Sequence, residues 1–165
     1  MTSGGKKNSG LQELERILRK ALIRLFGTRS RKARATVRIA YLPDAEMRIA
    51  ARRFLGERKK YIDVLAFPEA EEFPHPEAKK GMILGDIYLR TGLKKKALEL
   101  RVFFMFHGLL HLLGYTHEGT RDTIEMESRE RALFAKLLPK TTHPWPRSIS
   151  QTSHIAHRIR TKKRI

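Results

Sequence analysis

"VFFMFHGLLHLLGYTHEG", residues 102–119, is the stretch on which the fold turns. Its first twelve positions are apolar apart from His107, Gly108 and His111. A membrane span needs about twenty such residues, so this run reads as a helix buried on nearly every face, around which the rest of the chain must pack. His107 and His111 are four apart and share a helix face, about 6 Å from each other along the axis. Gly114 can take the left-handed conformation that ends a helix and turns the chain back. His117 then returns toward the same point.

Three neutral imidazoles at about 2.1 Å leave one position of a tetrahedral zinc open, the pattern of a catalytic rather than a structural site. The chain has no cysteine, so neither a thiolate site nor a disulfide-linked partner is available, and a metal must be held by histidine and carboxylate. A reducing, cytoplasmic setting fits. Any one of the three histidines alone could be a satisfied core residue; a pair, a helix-stopping glycine and a third histidine together fit a metal site better. The spacing H-x-x-x-H-x-x-G-x-x-H is also that of metzincin peptidases, in which a Glu after the first His acts as base. Here that position is Gly108, which cannot take a proton, so peptide hydrolysis by that route loses its base.

Working outward, "LQELERILRKALIRLFG" sets Leu11, Leu14, Leu18, Leu22 and Leu25 on one helical face, with Gly27 as its stop. Its arginines raise the possibility of a mitochondrial transit peptide, against which Glu13 and Glu15 argue. "MTSGGKKNSG" has no apolar run of the kind a secretory signal needs. "TVRIAY" alternates as a strand, Pro43 and Asp44 open a second helix to about Leu55, and "YIDVLAF" reads as a strand with little room for exposure. The acidic, proline-rich stretch "PEAEEFPHPEAKKG" reads as an irregular connection. In "MILGDIYLR" the internal Gly85 suggests a bulge or a close backbone approach. The pattern over 94–113 is one long helix, and "TRDTIEMESRERALFAKLL" is the last, with Ile124, Leu133, Phe134, Leu137 and Leu138 as its apolar side. We expect disordered tails at 1–10 and 139–165, the second cationic.

Lys and Arg outnumber Asp and Glu by 35 to 17, for a formal charge of +18. A field of that sign favours nucleic acid as partner, ahead of an anionic membrane or an acidic protein.

"HGLLHLLGYTH" resembles the H-G-x-L-H-L-x-G-Y-D-H signature of the YbeY family, bacterial endoribonucleases that act in ribosomal RNA maturation. "IDVLAFP" at 62–68 is similar to that family's T-D-V-L-S-F-P strand, and "LGDIYL" at 84–89 to its G-D-I strand. Met126 and Glu130 match an M-x-x-x-E-like pattern in its last helix. The resemblance implies one α+β domain over 11–138, with a small mixed sheet flanked by helices. It further implies one zinc ion held by His107, His111 and His117, and cleavage of single-stranded RNA in the cytoplasm. Ribosomal RNA precursors and the small ribosomal subunit would be the partners.

Two departures bear on mechanism. Thr116 stands where the family has Asp before the third His, so that acid's role falls vacant or passes to a residue such as Glu118 or Asp86. A family arginine ahead of the T-D-V-L-S-F-P strand aligns with Gly56, leaving Arg58 and Arg53 as the nearest substitutes. Arg58, then Arg53, is expected to offset charge on the phosphate, because a guanidinium fork matches two phosphate oxygens. Asp86, inside an apolar strand, is expected to pair with an arginine. His75, His143, His154 and His157 read as surface residues, and Trp145 as a loose contact or a base-stacking ring. Three functions follow in order: a metal-dependent endoribonuclease, a ribosome-associated RNA-binding factor with structural zinc, and a metallopeptidase.

Overall fold

The computed structural model describes residues 9–69 and 82–138. His75, Trp145, His143, His154, His157 and the two proposed tails, apart from Ser9 and Gly10, lie outside the described residues. Elements follow the order α1 (Ser9–Phe26), β1 (Thr36–Leu42), α2 (Asp44–Ala50), β2 (Val64–Pro68), β3 (Ile83–Arg90), α3 (Leu98–Leu112) and α4 (Thr120–Leu137). The strands form one mixed sheet in the order β1-β3-β2, with β1 parallel and β2 antiparallel to β3. The expected α+β architecture is therefore what the chain adopts.

Leu14, Leu18 and Leu22, with Ile17 and Ala21, are buried, so α1 turns its predicted face inward. Gly27 ends it at φ 75°. The described part of this helix begins at Ser9. On α3 every residue from Val102 to Leu112 is buried, as the apolar run requires, and this helix packs on β2, β3, α1 and α4.

Alternation along the strands gives the sheet two unlike faces. Gly85, Ile87 and Leu89 of β3 with Val64 and Ala66 of β2 are buried on the α3 side. Met47 and Ala51 cover the other side, clustered with Ile62 and Leu65 and backed by Phe67 and Tyr88. Gly85 meets both halves of its expectation. Thr36 pairs with Ile83 but Val37 with Gly85, which leaves Leu84 as the extra residue of a bulge. At φ 143° a Cβ on Gly85 would lie 2.1 Å from the Phe67 carbonyl oxygen, so only glycine lets β2 and β3 approach here.

Four details differ from the sequence reading. The helix expected over 94–113 is a 3₁₀ turn, Thr91–Lys95, followed by extended Lys96 and Ala97 and then α3. Buried Leu93 anchors that turn while its lysines face solvent. The second helix widens into a π turn, Ala51–Leu55, closed by left-handed Gly56. Tyr61, expected inside a strand, is exposed; β2 starts at Val64, after the Asp63 carboxylate takes the Arg90 guanidinium at 2.8 Å. Ile124 is 63% exposed, because it lies about 200° around α4 from buried Met126.

Candidate metal centre

The helical repeat brings His107 and His111 together as expected, with their Nε2 atoms 3.0 Å apart and both residues buried. The helix then stops in a Schellman turn: the Tyr115 N–H donates to the Leu110 carbonyl at 3.0 Å and the Gly114 N–H to the His111 carbonyl at 3.0 Å. Gly114 supplies the left-handed residue, at φ 92°. The reversal returns His117 to the helix, its Nε2 3.3 Å from that of His107 and its ring stacked on the same imidazole at 4.9 Å. One ligand atom from each of the three histidines lies within 4.8 Å of the others.

The outer nitrogens decide what the inner ones can do. A carbonyl oxygen only accepts, so His111 Nδ1 carries a proton and donates it to Tyr115 at 2.9 Å. His107 Nδ1 donates to the Glu130 carboxylate at 2.6 Å. In neutral imidazoles both Nε2 atoms are thereby left as lone pairs, aimed at each other. Such an arrangement is repulsive unless a cation lies between them, and an imidazole fixed through its other nitrogen is the usual form of a metal-ligating histidine. Ligands at about 2.1 Å around a tetrahedral ion are about 3.4 Å apart, and the 3.0 and 3.3 Å separations suit that. The residues fit a metal ion.

Gly108 has a structural reason beyond the missing base. A Cβ there would meet Ile87 Cγ2 at 3.0 Å and Val64 Cγ2 at 3.2 Å. The position faces the sheet, so a longer side chain would run into β2 and β3.

Asp86 is drawn away from the histidines. Its neighbours Gly85 and Ile87 face α3, so it points to the opposite side of the sheet, where its carboxylate takes the Arg38 guanidinium, with Nη2 at 3.0 Å. The expected arginine partner is there. Arg38 also reaches Glu69 at 3.0 Å, and the Asp86 hydrogen bond raises its pKa above the ordinary arginine value. Asp86 is therefore no heir to the acid missing at Thr116, while Glu118 is exposed. The carboxylate nearest the Thr116 hydroxyl is one the sequence reading did not name: Asp122 Oδ2, 3.5 Å away. Both residues line a cleft of about 390 Å³ with Leu113, Gly114, Tyr115 and Glu125.

Arg53 and Arg58 lie in the connection between α2 and β2, both exposed. The Arg53 guanidinium sits 5.5 Å from the centroid of the Phe54 ring. Glu130 is the residue whose role the sequence reading left unstated. It occupies the buried stripe of Met126, Leu133 and Phe134, and a carboxylate at core spacing among apolar residues was the available signal.

A family model described as Endoribonuclease YbeY matches residues 3–138. A relative of that name from Rhodospirillum rubrum is 35% identical over 101 residues, covering 55% of this chain and 50% of the relative. One from Agrobacterium fabrum is 38% identical over 90 residues, covering 49% and 52%. One from Halorhodospira halophila is 33% identical over 121 residues, covering 68% and 76%. The chain thus spans about half the length of the first two curated relatives. A solution structure of a Thermotoga maritima protein is similar at 23% identity and a TM-score of 0.47, over 93% of this chain and 95% of that one. A match to the family model over most of the chain, including all three histidines, places the protein in the YbeY family.

Proposed function

We propose that this chain is a zinc-dependent endoribonuclease that cuts single-stranded segments of ribosomal RNA precursors in the cytoplasm, working against the small ribosomal subunit. One observation carries the reading: His107, His111 and His117 aim three imidazole nitrogens at one point, two of them fixed as lone pairs by Glu130 and Tyr115. Three such ligands would hold zinc and leave its fourth position for water or a phosphate oxygen. When bound, the ion supplies Lewis acidity toward a phosphoryl oxygen and makes a bound water more acidic.

The protein's side chains do the rest. Arg58 and Arg53 draw the phosphate backbone in and offset its charge, while the Thr116 hydroxyl, within reach of Asp122, hydrogen-bonds beside His117. The charge of +18 suits a polyanionic substrate. No helix among the described residues is long and apolar enough to cross a membrane. Gly108, with no proton acceptor and no space for one, speaks against peptide hydrolysis.

The test is to measure bound metal in the purified protein and to compare cleavage of a structured RNA and of casein by the wild type and His111→Ala. Metal-dependent RNA cleavage, lost in the variant, is the expected result. RNA binding at full zinc occupancy without cutting would replace this reading with that of an RNA-binding factor. Digestion of casein would replace it with a peptidase.

A further inference from the structure

Phe54 and Tyr61 are 62% and 59% exposed, in a molecule that buries Phe103, Phe104, Phe106 and Phe134. Each exposed ring carries the cation that precedes it in the chain: the Arg53 guanidinium lies 5.5 Å from the Phe54 centroid and the Lys60 ammonium 5.2 Å from that of Tyr61. Phe54 is also held in place before anything binds. Its ring packs edge-on to Phe67 at 5.6 Å, and Phe67 packs against Tyr88 at 6.0 Å. Arg52 and Arg58 are exposed on the same connection and Arg48 on α2 just ahead of it, while both carboxylates of the connection lie near a cation, Glu57 3.8 Å from Lys59 and Asp63 2.8 Å from Arg90.

The geometry points to a binding surface for single-stranded RNA on the α2–β2 connection, in which bases stack on Phe54 and Tyr61 while the flanking arginines and lysines hold the phosphates. This inference rests on RNA being the ligand, as proposed above. Rings spaced along a cationic surface are what an unpaired strand needs, because every base has a face to stack and every linkage a charge to neutralise. A duplex hides its base faces. A second copy of the chain would bring like charges together, so the patch does not suit self-association.

The placement also suits the metal centre. The α2 segment covers one face of the edge strand β2 and α3 covers the other. At the end of β2, a Cβ on Gly85 would touch both Pro68 and Leu112, the residue after His111. A strand stacked on Phe54 would therefore leave the patch at the edge of the sheet beside which the histidines lie.

The experiment measures binding of a 5′-labelled single-stranded RNA of about ten nucleotides by fluorescence anisotropy, with the full chain, while gels read cutting in parallel. Phe54→Leu combined with Tyr61→Leu is expected to raise Kd about a hundredfold, roughly tenfold per ring, with thermal stability and the salt dependence of binding unchanged. The pair Phe54→Tyr and Tyr61→Phe should bind as the wild type does, and a tryptophan placed by Phe54→Trp should lose fluorescence on adding the oligonucleotide. Wild-type affinity in the double leucine variant overturns the inference, as does a dimer that Phe54→Leu dissolves. If binding depends on the rings but the RNA stays uncut, the endoribonuclease reading fails and this one stands. If RNA is cut while binding ignores the rings, only this one fails.

Discussion

Glu130 and Asp86 each bind a nitrogen base from another element, Glu130 reaching His107 on α3 and Asp86 reaching Arg38 on the far side of the sheet. The side chains of the first pair are 4% and 3% exposed, those of the second 30% and 23%. A half-wet ion pair is screened and contributes little to stability, whereas a buried carboxylate must be fully partnered or it is costly. The bases differ as well. Arg38 is a permanent cation that gives its Nε and Nη2 donors to acids, so its pairing ties β1 to β3 and reaches on to Glu69. His107 gives one nitrogen to Glu130 and keeps the other as a lone pair facing His111 and His117. The same carboxylate chemistry ties β1 to β3 on one face and fixes the orientation of an imidazole on the other.

Glu130→Ala should break that second role with the largest effect. Loss of such an outer hydrogen bond weakens metal affinity by about 10–100-fold. We expect zinc Kd to rise about 100-fold for Glu130→Ala and about tenfold for Glu130→Gln, measured by competition with a chromogenic chelator. Asp86→Ala should leave zinc Kd unchanged. Equal losses at both positions would show that the two faces are not independent.

Gly108→Ala tests how tightly the helix that carries His107 and His111 lies on the sheet. The added methyl must press on Ile87 and Val64 at 3.0–3.2 Å, and overpacking of this kind costs about 1–3 kcal/mol. The expected outcome is a loss of about 2 kcal/mol in urea unfolding. An unchanged midpoint would mean that α3 can lift from the sheet without penalty.

What could be read from the sequence follows how far apart the interacting residues lie. The three histidines fall on one helix and its stop, within eleven residues, so helical spacing and one glycine were enough. Glu130 lies 23 residues beyond His107, and its role depends on how α4 docks. The Arg38–Asp86 pair hinges on the bulge at Leu84: without that extra residue, Arg38 would oppose Gly85 and the Asp86 side chain would not meet it. The break before α3 was hidden for another reason. Lys and Ala favour helices, yet Lys96 and Ala97 are extended because Leu93 is buried just ahead of them. Exposure of Phe54 and Tyr61 was equally hidden, since their residue types suit a core as well as a binding surface.

Asp86→Asn should have a smaller effect than either change above. It keeps the shape and one acceptor, removes the negative charge that faces Arg38, and costs about 1 kcal/mol in unfolding, less at high salt. A rise in zinc Kd accompanying that loss would tie the strand-register pair to the metal site, contrary to the division of roles between the two faces.

The smallest expected effect belongs to Asp122→Asn. Asp122 is exposed, its contact with Thr116 is long at 3.5 Å, and it also sits in the first turn of α4. An acid in that place interacts favourably with the helix dipole, by about 0.3–1 kcal/mol at low salt. The expected outcome is therefore a loss of about 0.5 kcal/mol in unfolding, smaller still at high salt, with zinc affinity within about twofold of wild type. Burial is the reason for the contrast: Glu130 acts on its imidazole with little water to screen it, and Asp122 acts on a hydroxyl through solvent. If Asp122→Asn instead weakens zinc as far as Glu130→Gln does, then a wet carboxylate controls the centre through Thr116, and Asp122 fills the acid role that the sequence resemblance leads one to expect beside the third histidine.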